Sequence, residues 1–377
     1  MTTYFITGAT GAVGSALCEH LLALPDTRLL LLARADDDVH LQKRGETLAK
    51  YWGITADKAA RVEWLRGDTT AASFGLAAAD WDAAAAKTTH VIHCAGAVRM
   101  NLPIEKARAS AVFAAENVLA FARDVARLGQ LKKLELVSTV GVLGRQPGLL
   151  TETWQGTNRD YHNTYEQAKA EAEVVMQKAI EAGLPATVHR PSMVVGSAAT
   201  GKIIHFQIFY HLAEFLSGVR TRGLFPNTGH TQLDLVPSDY VARAIIWSSQ
   251  TPATIGQILH LCSGPDSALP LTAVRFIVQQ RFRAAGLPVT RGLTVPAAMF
   301  RTAARALAVF ASPRHRRALE ALPVFLDYLT EAQTFANVQT ARTLSAAGIT
   351  APAMQTFVGP VLDYYLTRRA MRAAVED

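Results

Sequence analysis

Tyr165 and Lys169 stand four residues apart in the segment Tyr161-His-Asn-Thr-Tyr-Glu-Gln-Ala-Lys169. On a helix that spacing places both side chains on one face. There an ammonium favours the ionised phenol and lowers its pKa, so the pair can exchange a proton with a carbonyl or hydroxyl oxygen. Far upstream the chain reads Thr7-Gly-Ala-Thr-Gly-Ala-Val-Gly14, between an apolar, β-prone run from Thr3 to Thr7 and a helical pattern from Ala12 to Leu24. A glycine-rich turn between strand and helix is a cradle for a dinucleotide pyrophosphate. Gly8 permits the tight turn, Gly11 lets backbone approach phosphate, and Gly14 lets helix and strand pack closely; Thr10, Ala12 and Val13 complete the turn. Together the two features describe hydride transfer at a nicotinamide with proton transfer from a tyrosine.

The remaining cofactor positions follow from strand ends. Leu29 to Ala33 is a buried-strand pattern that ends at Arg34, twenty residues after Gly14. A carboxylate there would bind a free ribose 2′-hydroxyl, whereas an arginine suits a 2′-phosphate, which favours NADPH. Lys43 and Arg44 in the next helix add positive charge, and Asp36 to Asp38 lie past the strand tip. The plainer reading of Arg34 is a solvated loop arginine. Val62 to Leu65 leads into Asp68, placed to reach an adenine amine or simply to hold a turn. His90 to His93 leads into Cys94, Ala95 and Gly96, small residues that let backbone lie against the cofactor. Leu134 to Val137 ends in Ser138 and Thr139, where a hydroxyl can orient a substrate oxygen. After one more helix and strand, the backbone of Pro191, Ser192 and Met193 can bond the nicotinamide carboxamide.

The elements that must position these residues alternate, strand and helix, from Thr3 to about His189. The pattern predicts an α/β, Rossmann-like doubly wound parallel sheet with a smaller, mainly helical C-terminal substrate region. We expect a NADP-binding unit over 1–262, with substrate-side insertions after about 196, and a helical region over 263–377. Ile203 to Leu216 reads as a helix with Phe206, Phe209, Tyr210, Ala213 and Leu216 on one face, either core or an acyl channel. From Leu271 onward the chain reads as helical, ending in a helix from Gln355 to about Ala374. Arg301, Arg305, Arg314, Arg316 and Arg317 give the helices Ala297–Phe310 and Ser312–Leu329 a basic cast. That suits an acidic carrier protein, a peripheral membrane contact or a solvated cap.

Composition bounds the function. The chain has 377 residues, half of them hydrophobic and 18% charged, which is enough to bury a large core. The net charge of +7 attracts phosphorylated cofactors, CoA and acidic carriers; no nucleic-acid motif accompanies it. Cys18, Cys94 and Cys262 have no metal or redox spacing, so neither a metal nor a structural disulfide is expected. No apolar run is long enough for a transmembrane segment, and no signal core opens the chain, so a cytoplasmic protein is expected.

The chain resembles an extended short-chain dehydrogenase/reductase, and within that group the thioester and fatty acyl-CoA reductases, including carboxylic acid reductase and peptide synthetase reductase domains. The resemblance rests on Thr7 to Gly14, Leu31 to Arg34, Gly67-Asp68 with Phe74-Gly-Leu76 and Trp81, and His93 to Val98. It continues in Val137 to Thr139, Tyr165 to Lys169, His189 to Gly196 and Asp234 to Val241, covering about residues 3–262. It implies that Thr139, rather than Ser138, polarises the substrate, that Tyr165 donates the proton and that Lys169 holds the ribose. It also implies that Arg34 binds the 2′-phosphate. The implied activity is NADPH-dependent reduction of an acyl thioester, CoA- or carrier-bound, to aldehyde, with further reduction to alcohol at the same site left open. Gly141 and Leu143 stand where sugar epimerases often carry an aromatic residue. Two other readings stay open: a dehydrogenase or epimerase acting on a ketone, steroid or nucleotide-sugar, and a dinucleotide-sensing regulator without turnover.

Overall fold

Seven short strands pair into one sheet. They are β1 (Thr2–Thr7), β2 (Thr27–Ala33), β3 (Val62–Arg66), β4 (His90–His93), β5 (Lys133–Val137), β6 (Ala186–Pro191) and β7 (Ile258–Leu261). The computed structural model describes residues 1–376, except 101, 220, 222, 230, 291, 297, 301 and 303–331. The strand order is β7-β6-β5-β4-β1-β2-β3 and every pairing is parallel. The order reverses between β1 and β4, which opens a crevice beyond the carboxyl ends of the strands.

A sheet covered on both faces favours strands that are nearly continuously apolar, and β2 is of that kind, with Leu29 to Ala33 all buried. Alternation then divides the core. Tyr4, Ile6, Leu29 and Leu31 pack with Leu17, Leu21, Tyr240 and Ile245 from helices Ala12–Leu21 and Ser238–Ser249. Phe5, Leu30, Val91 and Leu134 pack on the other face with Phe121 and Met176 from helices Ala114–Arg127 and Thr164–Glu181. A third cluster joins helix Ile208–Leu216 to helices Leu271–Ala284 and Met354–Glu376, through Phe209, Tyr210, Val274, Phe282, Phe357 and Val361.

The structure departs from the sequence reading in two places. The helix expected from Ile203 begins at Ile208, and ahead of Ile203 the chain turns back on itself, with the Ser197 amide donating to the Lys202 carbonyl. Gly201 has φ +67°, and a Cβ on Gly196 would lie 2.0 Å from the Gly201 oxygen. Phe209, Tyr210, Ala213 and Leu216 are core, and Phe206, ahead of the helix, meets Tyr210 at a tilt and Tyr365 edge-to-face. The region after Leu271 is not helical throughout. Leu293–Val295 pairs with Leu224–Pro226, and Gln333–Phe335 pairs with Gly148–Leu150. The basic helices expected over Ala297–Phe310 and Ser312–Leu329, with their five arginines, lie outside the described residues apart from Ala298 to Phe300 and Thr302.

Candidate active site

The helix Thr164–Glu181 presents the Tyr-Lys pair. Its N-terminus is fixed by Asn163, whose Oδ1 accepts from the Glu166 amide at 3.0 Å. Tyr165 therefore sits in the first turn and Lys169 one turn on. Lys169 is buried, and its ammonium donates to the Val137 carbonyl at the end of β5, at 2.9 Å. Burial lowers the Lys169 pKa, opposed by Cys94 and Glu173. The Tyr165 phenol is pushed up by burial, with Glu166 adding to the effect. The lowering by Lys169 expected from the spacing does not accompany it: both influences on the phenol raise it, and it stays in its acid form at neutral pH.

Thr139 follows β5 in extended backbone, and its Oγ1 accepts from the Gly141 amide at 3.1 Å, capping the turn Val140–Leu143. That bond uses a lone pair and leaves the hydroxyl hydrogen for another acceptor. Ser138 Oγ is buried without a partner among the described residues.

The glycine turn lies opposite. Gly8 has φ +79°, and a Cβ there would meet the Ala95 nitrogen at 2.6 Å; one on Gly14 would meet the Gly8 oxygen at 2.2 Å. A side chain at Gly8 would force its turn away from the Cys94–Ala95 loop, and one at Gly14 would push the helix off its own preceding turn. The helix Ala12–Leu21 starts with no side-chain cap and no acid in its first turn. Its free amides, the close backbone and the partnerless Ser138 hydroxyl fit a phosphorylated dinucleotide.

One cleft collects these groups: Gly8, Gly11, Ala12, Val13, Gly14, Cys94, Gly96, Ser138, Thr139, Tyr165, Lys169, Pro191, Ser192 and Met193 all border it. Its cavity volume is about 280 Å³. Thr10 and Ala95 belong to the same loops but do not border it; the Ala95 amide donates to Thr7 Oγ1 at 3.2 Å. His93 Nδ1 also meets Thr7 Oγ1, at 2.7 Å, and burial beside Lys169 brings the His93 pKa down to about 3. Burial pushes the Cys94 thiol up to about 12, so it is not a thiolate at neutral pH.

Arg34, Arg44 and Asp68 border a separate open basin at the ends of β2 and β3. Arg34 is largely exposed and 4.0 Å from Asp68. Arg44 donates to the Arg34 carbonyl. Asp68 also accepts from the amide and hydroxyl of Thr70, both at 2.9 Å, so it holds a turn as well as facing the basin. The three acids past the strand tip are engaged: Asp37 caps helix Asp38–Trp52, Asp38 pairs with Arg66 at 2.9 Å, and Asp36 meets His40. Arg66 and His40 border the basin too, and the sequence reading passed over them. Only the register, which sets Ala33 beside Arg66, brings the latter in.

The substrate side of the cleft was also missed. Ile208 and Leu212, one turn apart, border it where the aromatic stripe had been expected. Gln207, Thr231 to Asp234, Gln333 and Phe335 complete that wall. Asp234 is pushed up to about 6 by burial, opposed by the Ser192 hydroxyl and the amides of Ser263 and Gly264. Among the described residues no group of three or more His, Cys, Asp or Glu could hold a metal ion. Nor is any described helix long and apolar enough to cross a membrane.

Residues 6–245 match the protein family described as Male sterility protein. The chain is 27% identical over 271 residues to the non-canonical nonribosomal peptide synthetase FrzA of a Cladobotryum species, 68% of this chain and 26% of that one. It is 25% identical over 280 residues to L-2-aminoadipate reductase of Schizosaccharomyces pombe, 70% of this chain and 19% of that one. It therefore spans only a minor part of these curated relatives. The terminal R domain from the myxalamid PKS-NRPS biosynthetic pathway superposes with a TM-score of 0.81 at 25% identity, over 99% of this chain and 91% of that one.

Proposed function

Because the chain belongs to the Male sterility protein family, we propose that it is an NADPH-dependent reductase that converts an acyl thioester, carried on CoA or a carrier protein, to an aldehyde. The observation that carries this reading is the convergence of Thr139, Tyr165 and Lys169 on the cleft bordered by the glycine turn. In this reading Gly8, Thr10, Gly11, Ala12, Val13 and Gly14 hold the pyrophosphate. Arg34 and Arg44, with Arg66, hold the 2′-phosphate, and Asp68 meets the adenine amine. Cys94, Ala95 and Gly96 lie against the cofactor, Pro191, Ser192 and Met193 bond its carboxamide, and Lys169 holds its ribose. Bound NADPH supplies the hydride.

The chain's own groups manage charge and protons. The Thr139 hydroxyl, its lone pair held by Gly141, donates to the thioester oxygen. The Tyr165 phenol, kept protonated by burial, donates to the same oxygen. Two donors aimed at one oxygen stabilise the oxyanion as it forms. The hemithioacetal then collapses to aldehyde and thiol, and a second reduction to alcohol can follow at the same site. In the division of labour proposed here, cofactor binding lies within 1–262; the insertions after about 196 and the 263–377 region supply the substrate wall. A cytoplasmic location is part of the same proposal.

Tyr165→Phe tests the reading. Turnover is expected to fall by about 10²-fold or more while NADPH affinity is kept, because only the general acid is removed. Retention of more than about a tenth of the rate would remove the phenol from the mechanism. Turnover of ketones or nucleotide-sugars in preference to thioesters would favour the dehydrogenase or epimerase reading. Absence of turnover with tight cofactor binding would favour a sensor.

A further inference from the structure

The substrate wall is apolar where Leu212, Leu233 and Phe335 border it, yet three carboxamides interrupt it: Gln207, Gln232 and Gln333. Gln333 is the best defined. Its Nε2 donates to the Gly144 carbonyl at 2.7 Å and to the Gln146 carbonyl at 2.9 Å. Both amide hydrogens are spent, which fixes the orientation of the group and leaves Oε1 as an acceptor. Its backbone is pinned as well, since Gln333–Phe335 pairs with Gly148–Leu150. Gln232 Oε1 is buried with no partner among the described residues. A buried carboxamide with an unpaired oxygen in an apolar wall is costly unless a ligand completes it.

We propose that this wall is a subsite for secondary amides in the bound chain, whose N–H groups donate to the unpaired Gln232 Oε1 and to Gln333 Oε1. This rests on the thioester reading above and sharpens it. A secondary amide presents one donor and one acceptor on an otherwise apolar chain. A plain hydrocarbon at the same place would cover the glutamines and leave them unpaired. The discrimination arises from that loss rather than from any gain in apolar contact. Two sources carry such an amide: the pantetheine arm on the thiol side, and an N-acylaminoacyl group on the acyl side.

Three thioesters of equal length separate these sources. One joins octanoyl to pantetheine, one joins octanoyl to an ether-linked thiol without amides, and one joins an N-acetylaminoacyl group to that same ether thiol. With NADPH, kcat/KM for at least one amide-bearing thioester is expected to exceed that of the amide-free one by about tenfold or more. The arm that gains identifies the source. Gln333→Leu is expected to bring the ratio near one. Gln232→Leu, which breaks no hydrogen bond among the described residues, is expected to reduce the ratio and serves if the first variant folds poorly. A ratio near one in the unsubstituted enzyme overturns the subsite and leaves thioester reduction standing. A ratio unchanged in both variants also overturns it, since both substrates falling together marks a bracing role only. If no thioester is reduced at all, the functional reading fails and the subsite with it.

Discussion

Glu173 lies one turn beyond Lys169 and pairs with Arg190 on β6, linking the Tyr165 helix to the sheet. Both side chains are buried, with Nε to Oε1 at 3.0 Å and NH2 to Oε2 at 2.6 Å. Removing one partner of a buried pair typically costs about 3–5 kcal/mol, because the other charge is left uncompensated. Arg190 would keep the Thr153 carbonyl at 3.0 Å and His260 Nε2 at 3.3 Å. His260, its pKa brought to about 3 by burial and by Arg190, is neutral and able to accept. Glu173→Gln is therefore expected at the lower end, about 3 kcal/mol, by urea unfolding. Replacing both partners, Glu173→Leu with Arg190→Met, is expected to recover most of the loss. Glu173 also raises the Lys169 pKa against the lowering by burial. With that carboxylate gone the Lys169 pKa falls further, so the ammonium is lost at lower pH. The alkaline limb of the kcat/KM profile should then move to lower pH. A stability loss under about 1 kcal/mol, or an unmoved alkaline limb, would refute the argument that this pair both braces the helix and tunes the lysine.

Two further outcomes follow from the cofactor side. Arg34→Asp is expected to weaken NADPH by about 10–100-fold relative to NADH, the worth of a charge-assisted hydrogen bond, in cofactor titrations at low salt; equal kcat/KM for the two cofactors in the unsubstituted protein would contradict the assignment. Cys94, with its thiol pushed up to about 12, is expected to resist iodoacetamide at pH 7.5 although it borders the cleft; rapid inactivation, prevented by Cys94→Ala, would contradict that environment.

The sheet was legible because strands buried on both faces are mostly apolar, and Leu29 to Ala33 reads as little else; Leu134 to Val137 was legible despite Glu135, whose burial is matched by Lys133 and His189. The glycine turn and the Tyr-Lys pair were legible because each is local, set by a few residues in one turn. The substrate wall was not. Gln333–Phe335 meets Gly148–Leu150 across nearly half the chain, and such a pairing leaves no local period. Ile208 and Leu212 were missed because the stripe of bulkier neighbours dominated the reading of their helix, and Leu212 serves both the core and the cleft. Arg66 joins the Arg34 basin through strand register alone. The rise in the Tyr165 pKa depends on burial, which spacing does not report.

The central claim is hydride transfer from NADPH to a thioester carbonyl. Its most direct measurement is a single-turnover reaction of an acyl thioester with NADPH deuterated at the transferable position, with the products resolved by mass. The account predicts one equivalent of free thiol and an aldehyde carrying one deuterium at its carbonyl carbon, both lost in Tyr165→Phe. Thiol release without deuterium incorporation, or deuterium appearing only in a ketone-derived alcohol while the thioester persists, would contradict it.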